Sequence, residues 1–136
     1  MVWSDFIAKG VVRKVSVDME LSKSLVKMSN SRIEFLKKQI IADNSASILA
    51  SEYYEALREV CEAIFAAKGF KVYSHEAITS FIKEILMDDN SAYIFDRYRK
   101  IRNSINYYGK QIGKEEARKA SIEIPKLIEF FKSKYL

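Results

Sequence analysis

The stretch DNSASILASEYYEALREVCEAIFAAKG, running from Asp43 to Gly69, decides the fold. Asp43-Asn44-Ser45 offers side-chain oxygens that can accept the unpaired N–H groups of a helix's first turn. Neither proline nor glycine interrupts the residues that follow until Gly69, which suits a left-handed helix stop. The pattern predicts one long helix ending at Lys68.

The same grammar recurs on both sides. Upstream, Leu21, Leu25, Met28, Ile33, Leu36 and Ile40 return at close to helical spacing with lysines opposite. They predict a helix from Asp18 to about Ala42 with that stripe buried. Before it, residues 1–17 read as a partly helical leader, with Phe6, Ile7, Val11, Val12 and Val15 among basic residues around Gly10.

Downstream, Ser74 is a cap for a helix over His75 to Met87, with Glu76 in the first turn, where the helix dipole favours an acid. Ile78, Phe81, Ile82 and Ile85 are its expected buried face. Asp88-Asp89-Asn90-Ser91 opens a helix that Gly109 stops after Tyr108, with the apolar stripe Ile94, Tyr98, Ile101, Ile105 and Tyr108. A last helix spans about Lys114 to Lys134, and Pro125, lacking a backbone donor, is expected to kink or split it.

With four glycines and one proline in 136 residues, 49% hydrophobic and 30% charged, the expectation is a single all-α domain over 1–136. Short connections favour an up-down antiparallel bundle of about five helices. The lone Cys61 lies in an apolar run, so it reads as a small buried hydrophobe and points to a reducing compartment. Met1 to Asp5 lacks the features of a signal peptide, and no apolar run approaches the ~20 residues that span a bilayer. A cytoplasmic protein without a membrane partner is expected. No Cys/His cluster, glycine-rich phosphate loop or Ser/His/Asp arrangement stands out, so no metal and no cofactor is expected.

The net charge of +5 suits a polyanion but selects none. More specific is the helix before Gly109. Arg99, Arg102, Asn103, Asn106 and Lys110 each have another member of the set three or four residues away, which places them on one polar stripe. Arg102 could supply a fork of donors to a phosphate, with Asn103 and Asn106 orienting it. The solvated face of an amphipathic helix shows the same spacing. Tyr107 is a candidate hydrogen-bond donor, but an ordinary phenol pKa near ~10 makes it a poor base at neutral pH, so Tyr107 and Tyr108 read first as packing residues. His75, the only histidine, reads with Ser74 as structural, tying its turn to a neighbouring helix apart from the arginine stripe. Tyr53, Tyr54, Glu52 and Glu55 read as core and cleft wall.

Two blocks carry a resemblance. Ser51-Glu52-Tyr53-Tyr54-Glu55-Ala56, continuing through Ala63-Ile64-Phe65-Ala66-Ala67-Lys68-Gly69-Phe70 to Ser74-His75-Glu76-Ala77, resembles the central helix and following turn of HEPN domains in their small archaeal and bacterial branch. Ile101-Arg102-Asn103-Ser104-Ile105-Asn106-Tyr107-Tyr108-Gly109 sits where that family carries an arginine, usually a polar residue, then a histidine after a spacer of four to six. The resemblance covers roughly Asp18 to Tyr135. It implies a dimerising helical bundle that brings two arginine motifs into one cleft, often for metal-independent RNA cleavage. It also implies toxins paired with a small nucleotidyltransferase antitoxin.

This chain departs from the motif, because Tyr107, Tyr108 and Gly109 stand where the histidine belongs. The expectation is therefore a homodimeric HEPN-like domain that binds RNA or a nucleotide without ribonuclease activity, in a toxin–antitoxin or defence module with a nucleotidyltransferase partner. Alternatives are a metal-independent ribonuclease using Arg102 with Tyr107 or His75, and a domain serving only protein–protein interaction.

Overall fold

The structure, a computed structural model, describes residues 1–136 and is a helical bundle with one small sheet. Helix α1 (Trp3–Ala8) leads into strand β1 (Val12–Lys14) and helix α2 (Met19–Lys37). Helix α3 (Ala46–Lys68), strand β2 (Phe70–Val72) and helix α4 (His75–Ser80) follow. A π-helical turn (Phe81–Ile85) then precedes α5 (Asp89–Tyr108) and α6 (Lys114–Tyr135). No helix is long and apolar enough to cross a membrane.

Helix α3 is the central element. It packs along α2 on one side and α6 on another, and also touches α5 and β2. Its residues from Tyr53 to Ala66 are buried except on a narrow strip. Gly69 ends α3 in the left-handed conformation at φ 81°, as its sequence position requires. Ser45 occupies the N-terminal boundary, yet its hydroxyl turns back to the carbonyls of Ile40 and Ala42 and accepts from the Ala42 N–H instead of capping α3. Cys61 is buried within α3, and burial pushes its thiol pKa up, so it stays protonated.

Helix α2 corrects the expected stripe. It stops at Lys37, and Leu21, Met28 and Ile40 are exposed. The inner seam is Ser22, Ser29, Ile33 and Leu36. Ser22 Oγ donates to the Ala63 carbonyl and Ser29 Oγ to the Ala56 carbonyl, both at 2.8 Å. Small hydroxyl side chains facing alanines let the two backbones approach, and each buried hydroxyl finds a partner. Arg32 then bridges Glu52 at 2.6 Å and the buried Glu59 at 2.9 Å.

The leader is helical only over Trp3–Ala8 and adds a strand that the sequence reading lacked. Strand β1 pairs antiparallel with β2, matching Val12 with Val72, Arg13 with Lys71 and Lys14 with Phe70. Trp3 and Phe6 are core residues, and the Trp3 ring meets those of Phe70 and Phe81. The helix expected over His75–Met87 is α-helical only to Ser80. The π turn that follows shifts the register, which leaves Ile85 at the surface. Tyr108, placed by the sequence on an apolar stripe, is exposed. Helix α6 runs unsplit through Pro125.

Gly69 and Gly109 both have positive φ, but only Gly69 is crowded: a Cβ there would stand 2.7 Å from the Val15 carbonyl oxygen, whereas Gly109 has open space. Gly109→Ala should cost about 1 kcal/mol of left-handed backbone strain. Gly69→Ala should cost about 2–4 kcal/mol, adding the displacement of the Val15–Val17 segment after β1 to the same strain. Chemical denaturation of the two variants checks the order, and equal losses would mean that Val15 is not held against Gly69.

Candidate functional site

The arginine motif lies on the last turns of α5, and the Ser74–His75 turn lies against it. Ser74 Oγ accepts from the Ala77 N–H at 3.4 Å, starting α4. One turn along, Thr79 Oγ1 donates to Asp96 Oδ1 at 3.0 Å, and Asp96 is paired with Arg99 at 2.8 Å and Lys100 at 3.1 Å. This latch holds α4 antiparallel to α5, and the result is a contact that the sequence carried only in an alternative reading. Arg102 Nη2 lies 3.0 Å from His75 Nδ1 and 3.2 Å from Nε2. His75 is therefore part of the arginine cluster. Near-equal distances to both ring nitrogens place the guanidinium nitrogen over the imidazole face rather than along one lone pair.

The floor of the cluster is Tyr54, buried on α3. Its hydroxyl is 2.7 Å from His75 Nδ1, and burial pushes the phenol pKa up, so it stays protonated and donates to an unprotonated Nδ1. That assigns the ring proton to Nε2. The Arg102 guanidinium carbon stands 5.2 Å above the Tyr54 ring and 5.8 Å from the Tyr107 ring, two cation–π contacts. Arg102 Nη1 donates to Asn103 Oδ1 at 3.2 Å and to the Tyr107 hydroxyl at 3.4 Å. Below them, Arg58 is paired with Glu55 and Glu62 along α3.

The five residues expected on one stripe separate into three groups. Arg102 and Asn103 are half-buried in the cluster, while Arg99 is engaged by Asp96. Asn106 and Lys110 are exposed beyond the cluster, and their side chains make no hydrogen bond. Tyr107 is 70% exposed, a rim rather than a buried acid or base. Tyr53 is buried away from the cluster, and Glu52 is taken by Arg32, so of that group only Tyr54 and Glu55 border the site.

Electrostatics set the state of His75. Burial lowers its pKa, the charges of Arg102 and Arg58 lower it further, and Glu55 opposes them, leaving it at about 4. Burial pushes the Glu55 carboxyl up, but its hydrogen bond and proximity to Arg58 outweigh this, so it is held below its ordinary value. At neutral pH the cluster thus carries a fixed guanidinium charge beside a neutral imidazole. No three His, Cys, Asp or Glu side chains converge as a metal-ligand group. Surface depressions of 290 to 630 Å³ lie elsewhere on the molecule, and neither Arg102 nor His75 lines them.

No family model, no curated protein and no solved structure matches this chain.

The unfolded value of His75 is near 6.5, above the folded one, so between the two the unfolded chain binds more protons. Stability from this site is complete above pH 6.5 and is lost as the pH falls towards 4. With one histidine in the chain, its Hε1 proton resonance reports the site alone. It should titrate with a midpoint near 4, and Arg102→Gln should move that midpoint upward. A midpoint near 6.5 that ignores Arg102→Gln would mean that the ring faces solvent away from Arg102.

Proposed function

We propose that the chain is a HEPN-like domain that holds a phosphate of RNA, or of a nucleotide, at Arg102 and Asn103. One observation carries this reading. Five of the seven arginines, Arg32, Arg58, Arg97, Arg99 and Arg118, are paired with carboxylates, and Arg102 is not. A half-buried guanidinium stacked on tyrosine and backed by a neutral imidazole lacks a counter-charge, and an anion supplies one. A phosphate accepts the planar fork of donors in a bidentate way.

The wider setting follows from the resemblance. The domain works as a homodimer in the cytoplasm, one component of a toxin–antitoxin or defence module with a nucleotidyltransferase partner, and does not itself cleave RNA. The exposure of the end of α5 supports the dimer, since a second copy against it would turn an open face into a cleft. Tyr107 and Tyr108 at that end suit such an interface, each offering an apolar ring and a hydroxyl.

A second reading, metal-independent RNA cleavage, is favoured by the contact of His75 with Arg102. In this reading His75 takes the place of the histidine missing from the motif. The ribose 2′-hydroxyl attacks the adjacent phosphorus and passes its proton to His75 Nδ1, whose lone pair the Tyr54 hydroxyl must first release. Arg102 stabilises the charge on the phosphoryl oxygens, and the 5′-oxygen leaves and takes up a proton, giving a 2′,3′-cyclic phosphate and a 5′-hydroxyl. A bound phosphate would neutralise Arg102 and raise the basicity of His75, so the low pKa of the free site does not by itself forbid the step.

Purified protein incubated with RNA in chelator should leave the RNA intact. It should bind an oligoribonucleotide about 10- to 150-fold more tightly than Arg102→Ala, the loss of one charge-assisted hydrogen-bonded contact. Arg102→Lys should restore only part of that affinity, because an ammonium lacks the fork. Cleavage by the wild type that disappears in both His75→Ala and Arg102→Ala, but survives Tyr107→Phe, would select the ribonuclease reading. Binding indifferent to Arg102 would remove both.

A further inference from the structure

We propose that the outer face of the two-stranded sheet, Arg13, Lys71 and Tyr73, binds single-stranded RNA and continues the Arg102 site along the same strand of nucleotides. The inference rests on the reading of Arg102 as a phosphate site for the identity of the ligand, and on separate observations for the surface.

The first observation is a pairing that folding does not favour. Arg13 stands directly opposite Lys71 in the register of β1 and β2, and both are exposed. Like charges facing each other across two strands destabilise the pair. No carboxylate compensates them: Arg13 and Lys71 take part in none of the salt bridges, and the same holds for the neighbouring Lys14 and Lys68. Arg13 and Arg102 are the two arginines of the chain without a carboxylate partner.

The second observation is an aromatic ring set among these cations. Tyr73 is 55% exposed, with the Arg13 guanidinium carbon 5.8 Å and Lys71 Nζ 5.5 Å from its ring centre. Alternation along β2 turns Phe70 and Val72 partly inward and Lys71 and Tyr73 outward. An exposed ring flanked by unpaired cations is the combination that holds single-stranded nucleic acid, where a base stacks on the aromatic and adjacent phosphates meet the charges.

The third observation is continuity. The Tyr73 N–H donates to the Val11 carbonyl at 2.8 Å, which fixes the end of the sheet, and Tyr73 precedes His75 by two residues. Their α-carbons are thus within about 7 Å of each other. His75 touches Arg102, so sheet face and arginine cluster adjoin. Neighbouring sites of this kind are filled by successive nucleotides of one strand, whereas a mononucleotide fills one of them.

The test measures anisotropy of a labelled 12-nucleotide oligouridylate across a salt series, beside uridine monophosphate binding followed through the His75 resonance. Tyr73→Ala should weaken oligonucleotide binding about tenfold, and Tyr73→Phe should retain it. The double variant Arg13→Ala, Lys71→Ala should weaken it further and flatten the dependence of log affinity on log salt by about 1.4, for two lost contacts to a single strand. None of these should change uridine monophosphate binding, and all three side chains are exposed, so a melting temperature no lower than that of the wild type serves as the folding control, the double variant relieving a like-charge repulsion. Oligonucleotide binding that ignores the sheet variants but falls with Arg102→Ala would overturn the inference and leave the Arg102 site standing. Binding that falls with the sheet variants but ignores Arg102→Ala would keep the RNA surface and overturn its continuity with Arg102. Attachment to vesicles of phosphatidylserine and phosphatidylcholine, without oligonucleotide binding, would overturn the RNA surface in favour of a membrane one.

Discussion

Everything in this molecule is arranged around the burial of α3. A helix that is apolar over most of its circumference has no solvent face to offer, so it must be enclosed by its neighbours. Helices α2 and α6 cover it along its length, and α5 and β2 close the rest. The arginine cluster inherits its floor from this constraint. Tyr54 is fixed because it belongs to the core, with 1% of its surface exposed and its ring against that of Phe95. Its hydroxyl is the one polar atom that reaches out of the core to His75. Rigidity of the hydrophobic interior thereby becomes precision at the surface.

Polar contacts then fix how the enclosing helices sit. A seam built of Ser22 and Ser29 against the carbonyls of Ala63 and Ala56 is specific in a way that a leucine seam is not, because sliding α2 along α3 would strand two buried hydroxyls. Arg32 adds to the same register, since Glu59 is buried and would remain an uncompensated carboxylate without it. The sequence reading placed α2 and the C-terminal part of its inner face, Ile33 and Leu36, but missed the rest for a physical reason. Hydrophobic periodicity assumes that buried positions are apolar, and here two serines and a salt bridge occupy them, while Leu21, Met28 and Phe35 face outward. Local signals performed better where they are local: Asp18 and Asp88 do accept from the first turns of α2 and α5, and Gly69 and Gly109 do end α3 and α5. The pairing of β1 with β2 joins segments more than fifty residues apart, and strands of three residues leave no periodicity to read.

The site was half legible. Arg102 with Asn103 followed from spacing and from resemblance, and both are in the cluster. His75, the only histidine, reads from the sequence first as structural and joins Arg102 only in an alternative, because nothing local connects a residue at the start of α4 to the end of α5. Thr79 and Asp96 make that connection, through a hydrogen bond between helices that no single-helix pattern contains. Asn106 and Lys110 fell on the predicted stripe and lie outside the cluster, since a helical stripe wraps gradually away from any one neighbour.

The distribution of counter-charges separates cations engaged by the fold from unpaired ones more sharply than exposure does. Burial alone would class Arg99 with Arg102, since both are half-buried on the same helix face. Yet Arg99 meets Asp96 and through it Thr79, so its charge is spent on holding α4, whereas Arg102 meets only neutral acceptors and rings. A carboxylate in place of His75 would have closed Arg102 into an ion pair and removed its attraction for any anion. An imidazole kept neutral by its own burial and by the guanidinium beside it orients Arg102 without neutralising it. The same logic applies at Arg13, where Tyr73 orients the guanidinium and Lys71 intensifies its charge. Two positions that folding would have filled more stably with opposite charges instead keep their positive field.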